Sequence, residues 1–228
     1  MKDPAPAQDF FIDVDAGRRV SALLQAPADA RACYVFAHGA GAGMRHPFMA
    51  ALADRLAAHA IATLRYQFAY MEHGSRRPDA PAVAHAAVRA AAAAAAMRCA
   101  PLPLFAGGKS FGGRMSSQAQ ALSAIPGVRG LVFVGFPLHP AGKPSDERAK
   151  HLDDVRIPML FVQGTRDELA APDLLRPVVD RLGPRATLRW FDEADHSFHV
   201  PARSGRKDVE VMDELAGVIA GCIGAQLR

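Results

Sequence analysis

Phe105-Ala106-Gly107-Gly108-Lys109-Ser110-Phe111-Gly112-Gly113 is the stretch on which the reading of this chain turns. It contains Gly108-Lys109-Ser110-Phe111-Gly112, a G-x-S-x-G. An apolar run over 102–106 leads in and reads as a strand. A helix-like run over 114–123 leads out. This is the layout of a nucleophile elbow, a sharp strand-to-helix turn that presents a serine hydroxyl. The serine then sits in strained backbone, so small residues are needed two positions to either side, where helix and strand nearly touch. With nine serines and 19 glycines in 228 residues, composition alone supplies about 0.06 such matches. The plain alternative is a glycine-rich turn after a strand.

Two other glycine motifs compete. Gly108-Lys109-Ser110 mimics the end of a phosphate-binding P-loop, but that motif requires a glycine at 103, which is Pro103. Residues 103–106 also read as strand and leave no loop to wrap a phosphate. Gly39-Ala40-Gly41-Ala42-Gly43 follows a strand over 32–37, but a dinucleotide fingerprint requires a glycine at Met44 and an acid about 20 residues on, where the chain reads Leu64-Arg65-Tyr66-Gln67.

Outward from Ser110, strands and helices alternate. A hairpin is predicted over 10–14 and 18–25, around Asp15-Ala16-Gly17. Strands are predicted over 33–37, 61–65, 102–106, 130–136, 158–162 and 186–191. Helices are predicted over 47–59, 81–99, 112–123, 173–182 (broken or restarted near Pro177) and 208–225, with a short one over 146–153. The class is α/β: about eight strands in a mostly parallel sheet, with helices on both faces. The expectation is one domain over 1–228, with 1–9 as a loosely ordered tail. The polar, proline-containing stretch 137–150 is the candidate lid, too short for a folded cap.

A serine alone is a poor nucleophile near neutral pH; it needs a base, and the base needs an orienting acid. In elbow proteins these follow in the order Ser, Asp or Glu, His, each after a strand. Phe161-Val162-Gln163-Gly164-Thr165-Arg166-Asp167 ends a buried strand on an aspartate. Phe191-Asp192-Glu193-Ala194-Asp195-His196 ends the last strand on a histidine. Ser110, Asp167 and His196 are therefore the candidate nucleophile, acid and base. Asp192, Asp195 and Asp173 are rival acids: Asp195 is hampered by its adjacency to His196, and Asp173 suits a helix cap. Asp167 itself could instead cap a helix. His196 and His199 resemble a metal fragment, but no nearby carboxylate or cysteine completes it at ligand spacing. No metal is expected. Two backbone N–H groups would stabilise an oxyanion: that of Phe111, and that of Ala40, with Gly41 as the alternative.

Composition narrows the class. Half the residues are hydrophobic, enough for a large core, and the net charge of +4 comes from 27 basic and 23 acidic residues. The charges are scattered, with Arg18-Arg19 and Arg76-Arg77 as the basic doublets, so nucleic-acid binding is not expected. Cys33, Cys99 and Cys222 fit no disulfide or zinc pattern, which points to a reducing, cytoplasmic location. No signal-peptide core is read at the N-terminus and no 18-residue apolar run exists, so no membrane partner is expected. The alanine-rich stretch 82–100 is too weakly apolar for lipid and reads as a helix packed closely on a sheet.

These residues resemble the α/β-hydrolase superfamily, and within it the dienelactone-hydrolase-like branch, the group named for Tex30 and the chromatin-complex subunit KANSL3. The resemblance covers roughly 17–226. It rests on His38-Gly39-Ala40-Gly41-Ala42-Gly43-Met44 with His46-Pro47-Phe48-Met49, and on Gly108-Lys109-Ser110-Phe111-Gly112-Gly113-Arg114. Further pieces are Gly135-Phe136-Pro137-Leu138-His139-Pro140, Gly142-Lys143-Pro144, Gln163-Gly164-Thr165-Arg166-Asp167 and Asp195-His196-Ser197-Phe198. It implies the α/β-hydrolase fold with a minimal lid, a triad on Ser110, Asp167 and His196, and no organic cofactor or metal. It also implies a family whose substrates are mostly undefined and that includes scaffold members. Two departures stand out: Glu168-Leu169-Ala170 follows Asp167 where the family often has a Pro or Gly turn, and Tyr66-Gln67-Phe68-Ala69-Tyr70 stands where it usually has Asn and Pro.

Ligands of open α/β sheets bind beyond the carboxyl ends of the strands. Those ends would gather residues 38–44, 66–73, 109–111, 137–139 and 196–198. Tyr66, Lys109 and His139 are the candidate substrate contacts, with Arg65 and Arg76 also near; Arg76 and Arg77 read chiefly as a solvated loop. The reading is a serine hydrolase for a carboxylic ester or thioester, with a silent interaction scaffold as the alternative.

Overall fold

The computed structural model describes residues 5–75 and 77–227. In chain order these form β1 (Gln8–Asp15), β2 (Arg18–Gln25), β3 (Ala32–Ala37), α1 (Pro47–Ala58), β4 (Ile61–Tyr66), α2 (Ala69–Glu72), α3 (Pro81–Arg98), β5 (Leu104–Lys109), α4 (Phe111–Leu122) and β6 (Val128–Val134). A 3₁₀ helix (Glu147–Asp154), β7 (Met159–Gly164), α5 (Pro172–Leu182), β8 (Ala186–Phe191) and α6 (Asp208–Ala225) complete the order. The strands make one eight-stranded sheet in the order β1-β2-β4-β3-β5-β6-β7-β8. β1 and β2 are antiparallel, β2 runs antiparallel to β4, and every other pairing is parallel. This is the α/β-hydrolase architecture.

Each central strand is buried on both faces, which explains why β3, β4 and β7 are buried at every position. Met49, Leu52 and Leu56 of α1 share one apolar layer with Leu215, Ile219 and Ile223 of α6. α3, α4 and α5 cover the opposite face. α3 meets the sheet through Ala84, Ala87, Val88, Ala91 and Ala95; small side chains let the helix lie close.

The order β4-β3-β5 is what positions the site. After β3 the chain turns to α1 on one face, and after β5 it turns to α4 on the other. The carboxyl ends of β3 and β5 are adjacent, so a crevice opens between their loops. Ser110 follows β5 and residues 38–44 follow β3.

Several boundaries differ from the sequence reading. β5 starts two residues later than expected and includes Gly107 and Gly108. Pro103 has no N–H for the ladder, and the glycines, which read as a turn, are strand residues packed against neighbouring backbone. β6 ends at Val134, because Gly135 turns the chain at φ +67. α5 runs unbroken through Pro177, held by buried Leu175, Val178, Val179 and Leu182. Gln8 and Asp9 pair with Leu24 and Leu23 as the start of β1, so they are strand and not tail. Residues 1–4 of the expected tail lie outside the described residues.

Candidate active site

Ser110 links β5 to α4 with φ +50 and ψ −114. L-residues rarely adopt this conformation, and holding it costs roughly 1–3 kcal/mol. The surroundings enforce it. A Cβ on Gly112 would lie 2.5 Å from the Ala37 carbonyl oxygen, and one on Gly108 would lie 2.3 Å from the same atom. Only glycine at both positions lets α4 start that close to β3. The serine hydroxyl is thereby lifted above the sheet.

His196 Nε2 lies 2.9 Å from Ser110 Oγ, and His196 Nδ1 lies 2.7 Å from Asp167 Oδ2. The Asp167 side chain is fully buried and the His196 side chain is about a quarter exposed, at 27%. Asp167 Oδ1 accepts from the Leu169 N–H at 2.8 Å, and Oδ2 accepts from Gln163 Nε2 at 2.5 Å. The Gln163 orientation is determined by its other end, since Oε1 accepts from the Phe136 N–H at 2.8 Å. A carboxylate can only accept, so the His196 proton sits on Nδ1 and the Nε2 lone pair faces the serine hydroxyl. This geometry can take a proton from Ser110 and hold the resulting imidazolium against Asp167.

Of the rival acids, Asp195 turns the histidine loop: its Oδ1 accepts from the N–H groups of Ser197 and His199. Asp173 lies within the first turn of α5, whose cap position is Ala171. His199 is bonded to Asp208 at 2.8 Å and takes no part in the Ser110–His196–Asp167 contacts. Gln163 carries no motif of its own, and only its position four residues before Asp167, at the end of a buried strand, could have marked it.

The loop after β3 is clamped from beneath. Buried His38 uses both ring nitrogens: Nδ1 lies 2.7 Å from the Gly39 carbonyl oxygen, and Nε2 accepts from the Phe68 N–H at 3.1 Å. Gln67 Oε1 accepts from the Met44 N–H at 2.9 Å. The Gly41 N–H donates to Tyr70 Oη at 2.9 Å, so Gly41 is committed and is not a free donor. Among the described residues, the N–H groups of Ala40 and Phe111 meet no acceptor. Both border the same cavity as Ser110. The segment 66–70, expected as pocket wall, therefore holds the loop through Gln67, Phe68 and Tyr70.

Burial lowers His38 to about 4, and burial with the nearby Arg114 charge lowers His151 to about 4. The unfolded chain, with its histidines near 6.5, binds more protons across the interval from 6.5 to 4, so folding stability falls as pH falls through it. His38 alone accounts for roughly 3 kcal/mol, and half-buried His151 for less. Urea midpoints should drop between pH 7 and pH 4.5 in wild type and drop less in His38→Gln. A flat wild-type curve would contradict this account.

The three candidate substrate contacts are not where the sequence reading put them. Tyr66 is fully buried, because its position in β4 points it into the core. Lys109, next to the serine, points to the opposite side of the strand: its Nζ donates to the His196 carbonyl oxygen at 2.5 Å, near the rings of Phe48 and Phe198. Burial lowers it to about 8, against the opposing pull of Asp167 and Asp195. It braces the histidine loop. His139 is buried, with Nδ1 2.9 Å from the Pro140 carbonyl oxygen. Arg65 is also buried, near Gln25. Arg76 lies outside the described residues.

A cavity of about 450 Å³ opens beside Ser110, floored by Ala40 and Phe111 and walled by Pro137, Pro140 and Leu169. Part of the 137–150 stretch thus forms its rim. A second cleft of about 520 Å³ borders His196 with Arg166, Glu168, Asp195 and His199.

A family profile described as an alpha/beta hydrolase domain matches residues 30–224. The chain belongs to this alpha/beta hydrolase domain family. Solved structures agree on the fold. An alpha-beta serine hydrolase homologue from Coxiella burnetii superposes with a TM-score of 0.73 at 20% identity, covering 92% of this chain and 95% of that one. A dienelactone hydrolase from Anabaena variabilis gives 0.73 at 19% identity, over 94% and 96%. A serine hydrolase without lid from Xanthomonas campestris gives 0.70 at 21% identity, over 92% and 91%. Within this family's fold, the elbow, the loop after β3 and the histidine loop occupy one end of the sheet. Among the described residues no helix is long and apolar enough to cross a membrane.

Proposed function

We propose that this protein is a serine hydrolase that cleaves a carboxylic ester or thioester through an acyl-enzyme. The observation that carries the reading is the unbroken chain Ser110 Oγ–His196–Asp167, at 2.9 and 2.7 Å, headed by a serine in strained backbone. Ser110 attacks the carbonyl carbon while His196 Nε2 takes its proton. The carbonyl oxygen, now negative, lies at the N–H groups of Ala40 and Phe111; one such donor contributes roughly 2.7–4 kcal/mol to the transition state. His196 then protonates the leaving oxygen or sulfur. Water, activated by the same nitrogen, releases the acid. Asp167 keeps the tautomer and stabilises the imidazolium. A silent scaffold has no physical use for a strained serine, which supports the catalytic reading over that alternative.

The motifs of residues 38–49, 108–114 and 135–144 support placement in the dienelactone-hydrolase-like, Tex30/KANSL3-type branch. The whole chain is read as one domain, and the free thiols of Cys33, Cys99 and Cys222 support a reducing, cytoplasmic setting. Fluorophosphonate labelling followed by a 4-nitrophenyl ester panel of rising acyl length tests the function. Labelling of wild type alone, and not of Ser110→Ala, is expected. Folded wild-type protein that stays unlabelled and inert toward every ester would reject the proposal.

Gln163 supplies a second test. Gln163→Leu removes a donor to the carboxylate and leaves the Phe136 N–H unpaired. Hydrogen bonds to charged groups are worth roughly 1.5–3 kcal/mol, so kcat should fall by about 10- to 100-fold. The loss should fall on kcat and leave KM nearly unchanged, because the contact is to Asp167 and not to substrate. An unchanged kcat in the folded variant would make Gln163 purely structural.

A further inference from the structure

Two guanidinium groups in the cavity beside Ser110 are not used by the reaction as proposed. Arg114 lies one turn along α4 from the serine, and Arg148 comes from the 3₁₀ helix at the rim; both line the cavity. Among the described residues neither makes an ion pair, and Arg114 Nε is buried without a hydrogen-bond partner. Arg55, Arg181 and Arg206 pair with Asp213, Asp153 and Glu214, whereas Arg65, whose Nε is also without a partner, is buried away from this cavity. Burial and the Arg148 charge both hold the Arg114 guanidinium below its ordinary value. Burial and the Arg114 charge both lower His85 and His151, which favours their neutral forms. Asp79 also borders the cavity and leaves its negative charge in the lining; its Oδ2 accepts from the Tyr70 N–H at 3.0 Å, and it forms no ion pair with either arginine.

A partly buried pair of cations with no ion-pair partner, one of them supported by the Phe111 ring at 5.8 Å, is costly, and a bound anion relieves it. Guanidinium N–H forks match the oxygens of carboxylate and phosphate. Between these groups and Ser110 the wall is apolar, formed by Phe111 and Met115, which suits a short hydrocarbon spacer. The leaving group must lie toward His196, which protonates it, and the second cleft borders that side. The acyl part is left for the arginine-lined cavity.

We infer that the substrate's acyl part ends in an anion, a carboxylate or a phosphate, that Arg114 and Arg148 hold while the ester carbonyl lies at Ser110. This rests on the hydrolase reading and gives it a substrate class: hemi-esters or hemi-thioesters of short diacids, or their phosphorylated counterparts.

The test compares kcat/KM for monoethyl adipate, ethyl 5-phosphonopentanoate and neutral ethyl hexanoate. Wild type should favour an anionic ester by roughly 10- to 100-fold, the range for charge-assisted hydrogen bonds. Arg148→Met and Arg114→Met should each lower that ratio about tenfold. Arg148→Glu should lower it further and raise relative turnover of an ester ending in trimethylammonium. The ratio is internal, so a poorly folded variant lowers both rates and leaves it unchanged. Whichever anionic ester leads identifies the anion. In parallel, calorimetry on Ser110→Ala should detect monoethyl adipate binding that weakens with salt and exceeds that of diethyl adipate. Equal handling of charged and neutral esters by a labelled wild type would overturn the anion inference and leave the hydrolase reading intact. Anion binding by a protein that fluorophosphonate never labels would do the reverse.

Discussion

Ser110→Ala is expected to lower ester turnover by on the order of 10⁴- to 10⁶-fold while the protein stays folded. The alanine removes the proposed nucleophile but keeps the backbone, because φ +50 and ψ −114 are imposed by the packing of Gly108 and Gly112 against Ala37. Residual activity would come from the free N–H groups of Ala40 and Phe111. A companion substitution separates chemistry from strain. Ser110→Gly should be equally inactive yet more stable than Ser110→Ala by about 1 kcal/mol, since glycine relieves part of the backbone cost. Urea midpoints of the two variants check this. Turnover retained in either one would place the nucleophile elsewhere.

The largest effect on stability is expected three residues before Ser110. Gly107→Ala should cost more than about 4 kcal/mol, the range reserved for severe packing faults. Gly107 has φ +144, and a Cβ there would lie 1.9 Å from the Val132 carbonyl oxygen and 2.8 Å from its carbon. Both atoms belong to the backbone of β6, which pairs with β5 at this register. No rotamer change relieves the contact; the central strands must separate. The control is Gly221→Ala in α6, where an added Cβ meets nothing within 4 Å. There the substitution should stabilise by roughly 0.5–1 kcal/mol through helix propensity. Equilibrium unfolding of the pair checks both signs. A Gly107→Ala protein as stable as wild type would show that the β5–β6 backbone approach is looser than the structure has it.

Much of the fold was legible because its signals are local. β2, β8 and α6 coincide with the sequence reading to the residue, since apolar runs bounded by turn residues and helical spacing depend only on near neighbours. The β5 boundary was not legible. Gly107 and Gly108 look like a turn in isolation and are strand only because β3 and β6 lie against them. Pro177 predicted a break that the apolar face of α5 overrides.

The site divides along the same line. Ser110, Asp167 and His196 were named from motif and chain order, and the structure brings those three side chains within hydrogen-bond reach. Tyr66 and Lys109 were misjudged because strand alternation and the elbow send them into the core and under the histidine loop.

The sequence by itself determined the alternation of elements, the elbow and the order of its three polar residues, because each is written in short-range spacing and in which residues tolerate strained backbone. Only the tertiary structure decided which groups meet. The Phe136 N–H reaches Gln163 Oε1 because β7 ends beside the turn after β6, Tyr70 reaches Gly41 across the β3–β4 gap, and Arg148 reaches the cavity of Arg114 through a rim helix that packs on α4. Those contacts depend on packing between segments far apart in the chain, and no local pattern of residues encodes them.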